Sequence, residues 1–312
     1  MTDRPTLLDV ARRAGVGKST VSSAFTGSGR ISPATRDLVL AAATELGYVP
    51  NRAARRLRGG STGTVGLYLP QTPTRSEYYM KFVFGALEEA SKLDLDVTVL
   101  TPHRAALPPA DGVILADPMI GDAFADRLLS SSLPVVTCER VLSGPPADGT
   151  VWSDHGAGAT ALLDHLRERG SRQPGLVLPG DDGDWTRQWR EAWTAWCEEA
   201  GVASLIETTD WIPTNAQVTD ASSSLLKHVD ALVCAPVETA NMALPAVRAT
   251  GKNVLLACGT DSTSAQLGQI TALDTTPHQA GLHCARLLHT IIAGGESVSE
   301  QLPVRLVHRR ST

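Results

Sequence analysis

The sequence predicts two structural classes in one chain: an all-α head of three short helices, then a larger α/β body built on parallel sheets. Three observations carry this. Beyond residue 64, short apolar runs alternate with amphipathic helical stretches, the pattern of parallel strands covered by helices. Before it, helix caps and three-and-four apolar spacing recur without strand patterning. Charge divides along the same line: residues 1–60 carry a net +6 and the rest −11, in a chain of 312 residues with net charge −5. A basic head on an acidic body suits a head that meets a polyanion.

Thr6-Leu7-Leu8-Asp9 fits a capping box, a hydroxyl followed three residues later by an acid. The helix it opens places Leu7, Val10, Ala11 and Ala14 on one face, and Gly15-Val16-Gly17 breaks it. Lys18 to Phe25 reads as a second helix with Val21, Ala24 and Phe25 inward. Ser32-Pro33 is an N-cap followed by proline at the first helical position; the third helix runs to about Leu46, where Gly47 stops it. A tight glycine turn between the first two of three short helices is the mark of a helix-turn-helix, which lays its second helix in the DNA major groove. The polar face of that helix carries Lys18, Ser19, Ser22 and Ser23, donors that reach base edges or phosphates. Asn51 to Arg58 is helix-prone and holds four arginines, and Gly59-Gly60-Ser61-Thr62-Gly63 reads as a flexible linker. So short a helix is marginal alone in water, so its order is expected to depend on DNA and dimerisation. The expected domains are a DNA-binding head at 1–58, a linker at 59–63 and a body at 64–312.

In the body the strand candidates are Val65–Leu69, Val97–Leu100, Gly112–Leu115, Pro134–Cys138, Gly175–Leu178, Leu205–Glu207, Ala231–Cys234, Val254–Cys258, Ile270–Leu273 and Val304–His308. Helices are expected over 77–92, 121–131, 155–169, 185–200, 215–228, 238–250 and 277–293. That many strands are best split into two sheets. Only Thr101 to Ala110, with three prolines, separate the second and third strands. A parallel crossover usually needs about a dozen residues or more, so the crossover helix is expected to be missing or reduced to a turn. Trp185, Trp189, Trp193 and Trp196 fall on one stripe of a helix, which reads as core, with Trp185 and Trp189 nearest the helix start.

Thr6-Leu7-Leu8-Asp9-Val10-Ala11, Ala14-Gly15-Val16, Ser19-Thr20-Val21-Ser22 and Leu46-Gly47-Tyr48-Val49-Pro50-Asn51 resemble the headpiece of the lactose/galactose-repressor (LacI/GalR) family of bacterial transcriptional regulators. The resemblance is dense over 5–58 and looser beyond. It implies DNA contacts by Thr6, Lys18, Ser19, Thr20, Ser22, Ser23, Thr26, Arg30 and Thr35, with Lys18 and Ser19 reading bases. Ser23 stands where the family usually has arginine, and a serine cannot make a bidentate guanine contact. The resemblance also makes Asn51, Arg52, Ala54, Arg55 and Leu57 parts of a hinge helix, Leu57 being the minor-groove wedge. For the body it implies a two-lobed, periplasmic-binding-protein-like fold. Lobe one takes 64–153 and 275–297, lobe two takes 154–274, and the tail returns to one edge.

By the same resemblance an effector cleft lies where strand ends of both lobes meet. Asp261 matches an aspartate that binds effector hydroxyls, a loop cap being its other reading. Glu139-Arg140 stands at the family's usual Asp-Arg, where Arg140 equally suits a structural ion pair. Tyr78, Tyr79, Trp185 and Trp189 are the aromatic candidates, Arg187 or Arg190 the candidate ligand-binding arginine. Pro236-Val237, followed by Glu238, replaces the family's Asn-Asp pair, so the effector is expected to differ from a simple hexose.

Enzyme signatures are lacking: the sequence has no nucleophile elbow, Walker loop or HExxH. His155, His165, His278, His283, His289 and Asp154 are imaginable as catalytic, but His278 and His283 miss the i, i+4 spacing of a metal pair. The five cysteines form no CxxC, so neither metal site, cofactor nor disulfide framework is expected. With no long apolar run and no secretory signal, the expected place is the bacterial cytoplasm, at the nucleoid when on DNA, with no membrane partner. A transport-type sugar-binding protein is opposed by the missing signal and the helix-turn-helix. The expectation is a non-enzymatic transcriptional regulator, a repressor, binding double-stranded operator DNA as a homodimer under control of a sugar or sugar derivative. Control by a protein partner, or by no effector, is the alternative.

Overall fold

A computed structural model describes residues 5–26, 31–48, 61–70, 76–102, 107–180 and 183–312. They fall into two compact units, Met1–Thr62 and Gly63–Thr312. The first contains α1 (Leu7–Ala14), α2 (Lys18–Thr26) and α3 (Pro33–Leu46). The capping box at α1 forms: Thr6 N donates to Asp9 Oδ2 at 2.8 Å and Asp9 N to Thr6 Oγ1 at 3.4 Å. Ser32 Oγ accepts from Thr35 N at the start of α3. Gly15 and Gly47 end α1 and α3 with φ of 66° and 63°, a left-handed turn that glycine adopts without steric cost. Val10, Val21 and Val39, one from each helix, are fully buried at the centre. The Arg36 guanidinium donates to the Ala24 carbonyl, tying α3 to α2.

The second unit holds two six-stranded sheets among the described residues. The first comprises β1 (Thr64–Tyr68), β2 (Asp96–Val99), β3 (Gly112–Ala116), β4 (Val135–Cys138), β5 (Gly149–Ser153) and β11 (Ser299–Leu302), in the order β11-β5-β4-β3-β1-β2. All its pairings are parallel. The second comprises β6 (Pro174–Pro179), β7 (Leu205–Thr209), β8 (Ala231–Cys234), β9 (Leu255–Cys258), β10 (Thr271–Asp274) and β12 (Arg305–Val307), in the order β12-β10-β9-β8-β6-β7. It is parallel apart from β12, which runs antiparallel on β10. Central strands such as β1, β3 and β6 are buried at every residue, because helices cover both faces. Helices α4 (Glu77–Lys92), α5 (Ala123–Leu129) and α11 (Pro277–Ile292) pack on the first sheet. Helices α6 (His155–Glu168), α7 (Asp184–Ala200), α8 (Asn215–Leu225), α9 (Thr239–Ala249) and the short α10 (Thr263–Leu267) pack on the second.

Helices α4 and α11 meet backbone to backbone. A Cβ on Gly85 would overlap the His278 carbonyl oxygen, and one on Gly281 would overlap that of Phe82. Two glycines facing each other's helix permit this approach. Residues 101–102 and 107–110 form no helix, as the short connection requires. Three expectations need correction. β5, β11 and α10 were not foreseen. The tail does not return to one edge: β11 extends the first sheet and β12 the second. Trp189 belongs wholly to the core with Trp193 and Trp196, packed between α7 and the second sheet.

Candidate functional site

The carboxyl ends of the parallel strands converge on a cavity of about 430 Å³, within the range of small-molecule pockets, roughly 300–1,000 Å³. The first sheet contributes Asp117, just past β3, and the first turn of α4 with Ser76, Tyr78 and Tyr79. The second contributes the loop Trp211 to Asn215 past β7, Pro236 to Thr239 past β8, and Thr260 past β9. His155 and Trp185 enter from the first turns of α6 and α7, and Met242 from α9. Strand ends in parallel sheets leave such a crevice because the crossovers diverge there.

Aromatic rings form one connected wall. Tyr79 stands edge-on to Tyr78 at 5.4 Å, and Trp185 edge-on to Trp211 at 5.3 Å. Trp211 Nε1 donates to Tyr79 Oη at 3.4 Å, and Tyr79 Oη donates to Asp117 Oδ2 at 2.6 Å. Trp211 reaches this position by lying over Gly183, where a Cβ would collide with its indole.

Behind the wall lie acids. His155 Nε2 meets Glu139 Oε1 at 3.1 Å, both side chains buried. Asp184 Oδ2 accepts from Arg140 Nε at 2.9 Å and from Gln188 Nε2 at 2.8 Å, and its Oδ1 is buried without a partner among the described residues. Burial, then the Glu139 charge, pushes the Asp117 carboxyl up to about 7. Burial works to lower the His155 pKa, but the Glu139 carboxylate at hydrogen-bond distance outweighs it, and the imidazole is raised. Burial and the nearby Glu77 raise Glu238. Asp117, Glu139 and Glu238 all sit in the left-handed region, with φ of 43°, 73° and 67°. That conformation costs a non-glycine residue about 1–3 kcal/mol and clusters at functional sites.

Of the residues expected from sequence, Tyr78, Tyr79, Trp185 and Glu238 line the cavity. Glu139 stands one residue deeper, behind His155. Arg140 lies outside the lining, paired with Asp184 and stacked over Trp152 at 4.4 Å. Arg187 is exposed beside Glu191, and neither it nor Arg190 lines the cavity. Asp261 does not line it either: Arg309 grips both its oxygens at 2.8 Å, and its neighbour Thr260 faces the space instead. Asp117 and Trp211 were missed, and His155 was considered only as an imagined catalytic group. Trp211 had a signal, an indole in the loop after Leu205–Thr209; Asp117 follows the run Gly112–Ala116, but nothing local marks it for the cavity. In the head, Lys18 and Ser19 are exposed on α2, with Thr20, Ser22 and Ser23 half-buried. Thr6 and Thr35 sit at helix starts and bond to Asp9 and Ser32. Arg30, Asn51, Arg52, Ala54, Arg55, Leu57 and the side chain of Thr26 lie outside the described residues.

Residues 6–51 match the family described as bacterial regulatory proteins, lacI family, and residues 163–312 match a periplasmic binding protein-like domain. Over 338 aligned residues the chain is 30% identical to the maltose regulon regulatory protein MalI of Escherichia coli, covering 97% of each chain. The chain belongs to the LacI family. As a member of that family it is a transcriptional regulator of the DNA-binding kind, and the relatives it matches are regulators rather than enzymes. This LacI-family chain is also 29% identical to the regulator CelR of Thermobifida fusca, over 97% of its length and 95% of CelR. A structure of a CelR–cellobiose complex superposes with a TM-score of 0.72, at 28% identity, over 99% of this chain and all of that one. The lac repressor dimer bound to operator and an anti-inducer shares the fold, with a TM-score of 0.79 at 21% identity, over 99% of both chains. Among the described residues, no helix is long and apolar enough to cross a membrane.

Proposed function

We infer that this chain is a repressor whose operator affinity is set by a polyhydroxylated small molecule bound in the cavity between the two sheets. The observation that carries the reading is the cavity itself. It is lined by aromatic rings that can cover a sugar face and by carboxyl, hydroxyl and amide groups that can meet its hydroxyls. Relatives support it: one solved structure is a CelR–cellobiose complex and another a lac repressor dimer on its operator. A ligand touching both sheets favours the closed arrangement of the lobes, and its differential affinity for closed and open states sets the response. In the head, Lys18 and Ser19 read bases and Thr6, Thr20, Ser22 and Thr35 hold the backbone. The chain acts as a homodimer on a pseudo-palindromic site.

The test has two arms. Selection of bound sequences from a random duplex pool should yield a two-fold symmetric site. Titrating mono- and disaccharides against that complex should then release the protein. A pool with no enriched sequence would overturn the operator reading. Binding of every sugar tested with no change in DNA affinity would overturn the control reading.

A further inference from the structure

We propose that the cavity selects a ligand bearing a protonated amine, of the amino-sugar class, with its ammonium seated between Asp117 and the rings of Tyr79, Trp185 and Trp211. The proposal rests on the reading of the cavity as an effector site and narrows the class of effector.

Charge is the first argument. Asp117 and Glu238 line the cavity from the two sheets, and Glu139 and Asp184 are buried behind the lining. Against them stand His155, engaged with Glu139, and Arg140, engaged with Asp184. Among the described residues, no lysine or arginine lines the cavity. Among these groups the acids outnumber the cations by two: Asp117 and Glu238 are left over, and Asp117, the more deeply buried of the two, has its bond from the neutral Tyr79 hydroxyl. A buried carboxylate without a counter-charge is costly, and a ligand ammonium supplies the missing charge.

Shape and chemistry give the second argument. An ammonium is attracted to the faces of indole and phenol rings, most strongly where water is excluded. Tyr79, Trp211 and Trp185 are linked through hydrogen bonding and edge-to-face contact, and the chain of contacts ends on Asp117. An acid joined to an aromatic wall is a cation receptor. The second-sheet side narrows the remainder: Pro236 and Val237 offer no side-chain polar group, while Thr239, Thr260 and Asn215, with Ser76 from the first-sheet side, can pair hydroxyls. The ligand is thus cationic at one end and polyhydroxylated along its length. The backbone agrees, since Asp117 and Glu238 are held in the cavity by strained left-handed conformations.

The experiment uses the full chain and matched probes that differ at nitrogen: glucose, N-acetylglucosamine and glucosamine, with cellobiose, diacetylchitobiose and fully deacetylated chitobiose as the disaccharide set. Affinities are measured by calorimetry at pH 6.5, where the amines are charged. The aminated member of at least one set should bind tenfold or more tighter than its neutral partners, and its affinity should fall as salt rises. Asp117→Asn should remove that preference, and Tyr79→Phe, which frees Asp117 from its hydroxyl, should keep it. Equal affinity for neutral and aminated members, or a preference that survives Asp117→Asn, would overturn the proposal. If neutral sugars alone bind and release the operator, the cationic class fails while the effector reading stands. If no member of either set binds, both fail together.

Discussion

At the scale of single residues, Asp117 is a buried carboxyl whose hydrogen bond comes from a neutral hydroxyl. Asp117 has a folded pKa of about 7 against about 3.9 in an unfolded chain. Between those values the native state binds more protons than the unfolded one, so this residue's contribution to stability falls as pH rises from 4 to 7. Above pH 7 the full penalty applies, on the order of a few kcal/mol at about 1.4 kcal/mol per pKa unit. Asp117→Asn keeps an acceptor for the Tyr79 hydroxyl and cannot ionise. It should therefore raise the melting temperature of the ligand-free protein at pH 8 by several degrees, at roughly 2–4 °C per kcal/mol. The gain should shrink towards pH 4. Thermal unfolding of both proteins across that range is the check, and a variant less stable than wild type at pH 8 would refute the reading. Asp261 shows the opposite case. An acid that sequence places at the ligand is held by the Arg309 fork and by the Ser262 amide, so its charge is already compensated.

Among the elements, the pairing of α4 with α11 fixes the first lobe. Gly281→Ala would drive a methyl group into the Phe82 carbonyl. Overpacking costs about 1–3 kcal/mol even against side chains, and here the obstacle is backbone, so a loss of about 3 kcal/mol is expected despite alanine's better helix propensity. Gly156→Ala in α6 is the control: the added Cβ meets neighbours no closer than 3.7 Å and should be neutral or stabilising by up to about 1 kcal/mol. Urea unfolding midpoints distinguish the two. How much was legible beforehand differs by element for physical reasons. Helix 77–92 and strand Ala231–Cys234 were readable in full, because each buries a regular apolar face or run. β5 and β11 were not: β11 is Ser299–Leu302, an edge strand in which only Leu302 is buried, and no apolar pattern survives such exposure. In the cavity, Tyr78, Tyr79, Trp185 and Glu238 were legible from their places at element starts. Asp117 was not, because its role follows from a backbone turn at φ 43° and from a tyrosine 38 residues away, neither of which leaves a local trace. Arg140 had two readings, ligand contact and structural ion pair, and its bond to Asp184 favours the second; Trp189, on a stripe read as core but near the helix start, belongs to the second-sheet core.

For the whole molecule, charge divides the labour between the two units. Residues 1–60 carry +6 and the remainder −11, so the head is drawn to DNA while the body is repelled by it. Most of the affinity should then come from phosphate neutralisation by the head, and each neutralised phosphate contributes about −0.9 to the slope of log affinity against log salt. For two heads on one operator, six to ten such contacts give a fall of roughly a thousandfold or more between 50 and 200 mM salt. Base reading is a separate quantity. Lys18 is exposed on α2, and Lys18→Ala should relax preference at one position of each half-site by about 1–3 kcal/mol. A lysine that only met phosphate would instead weaken all sequences alike and reduce the slope by about one for each head. Fluorescence anisotropy on the selected operator and on single-base variants, at four salt concentrations, measures both quantities together. A shallow slope at nanomolar affinity would contradict the electrostatic account, and an unchanged base preference in Lys18→Ala would assign Lys18 to the phosphate backbone.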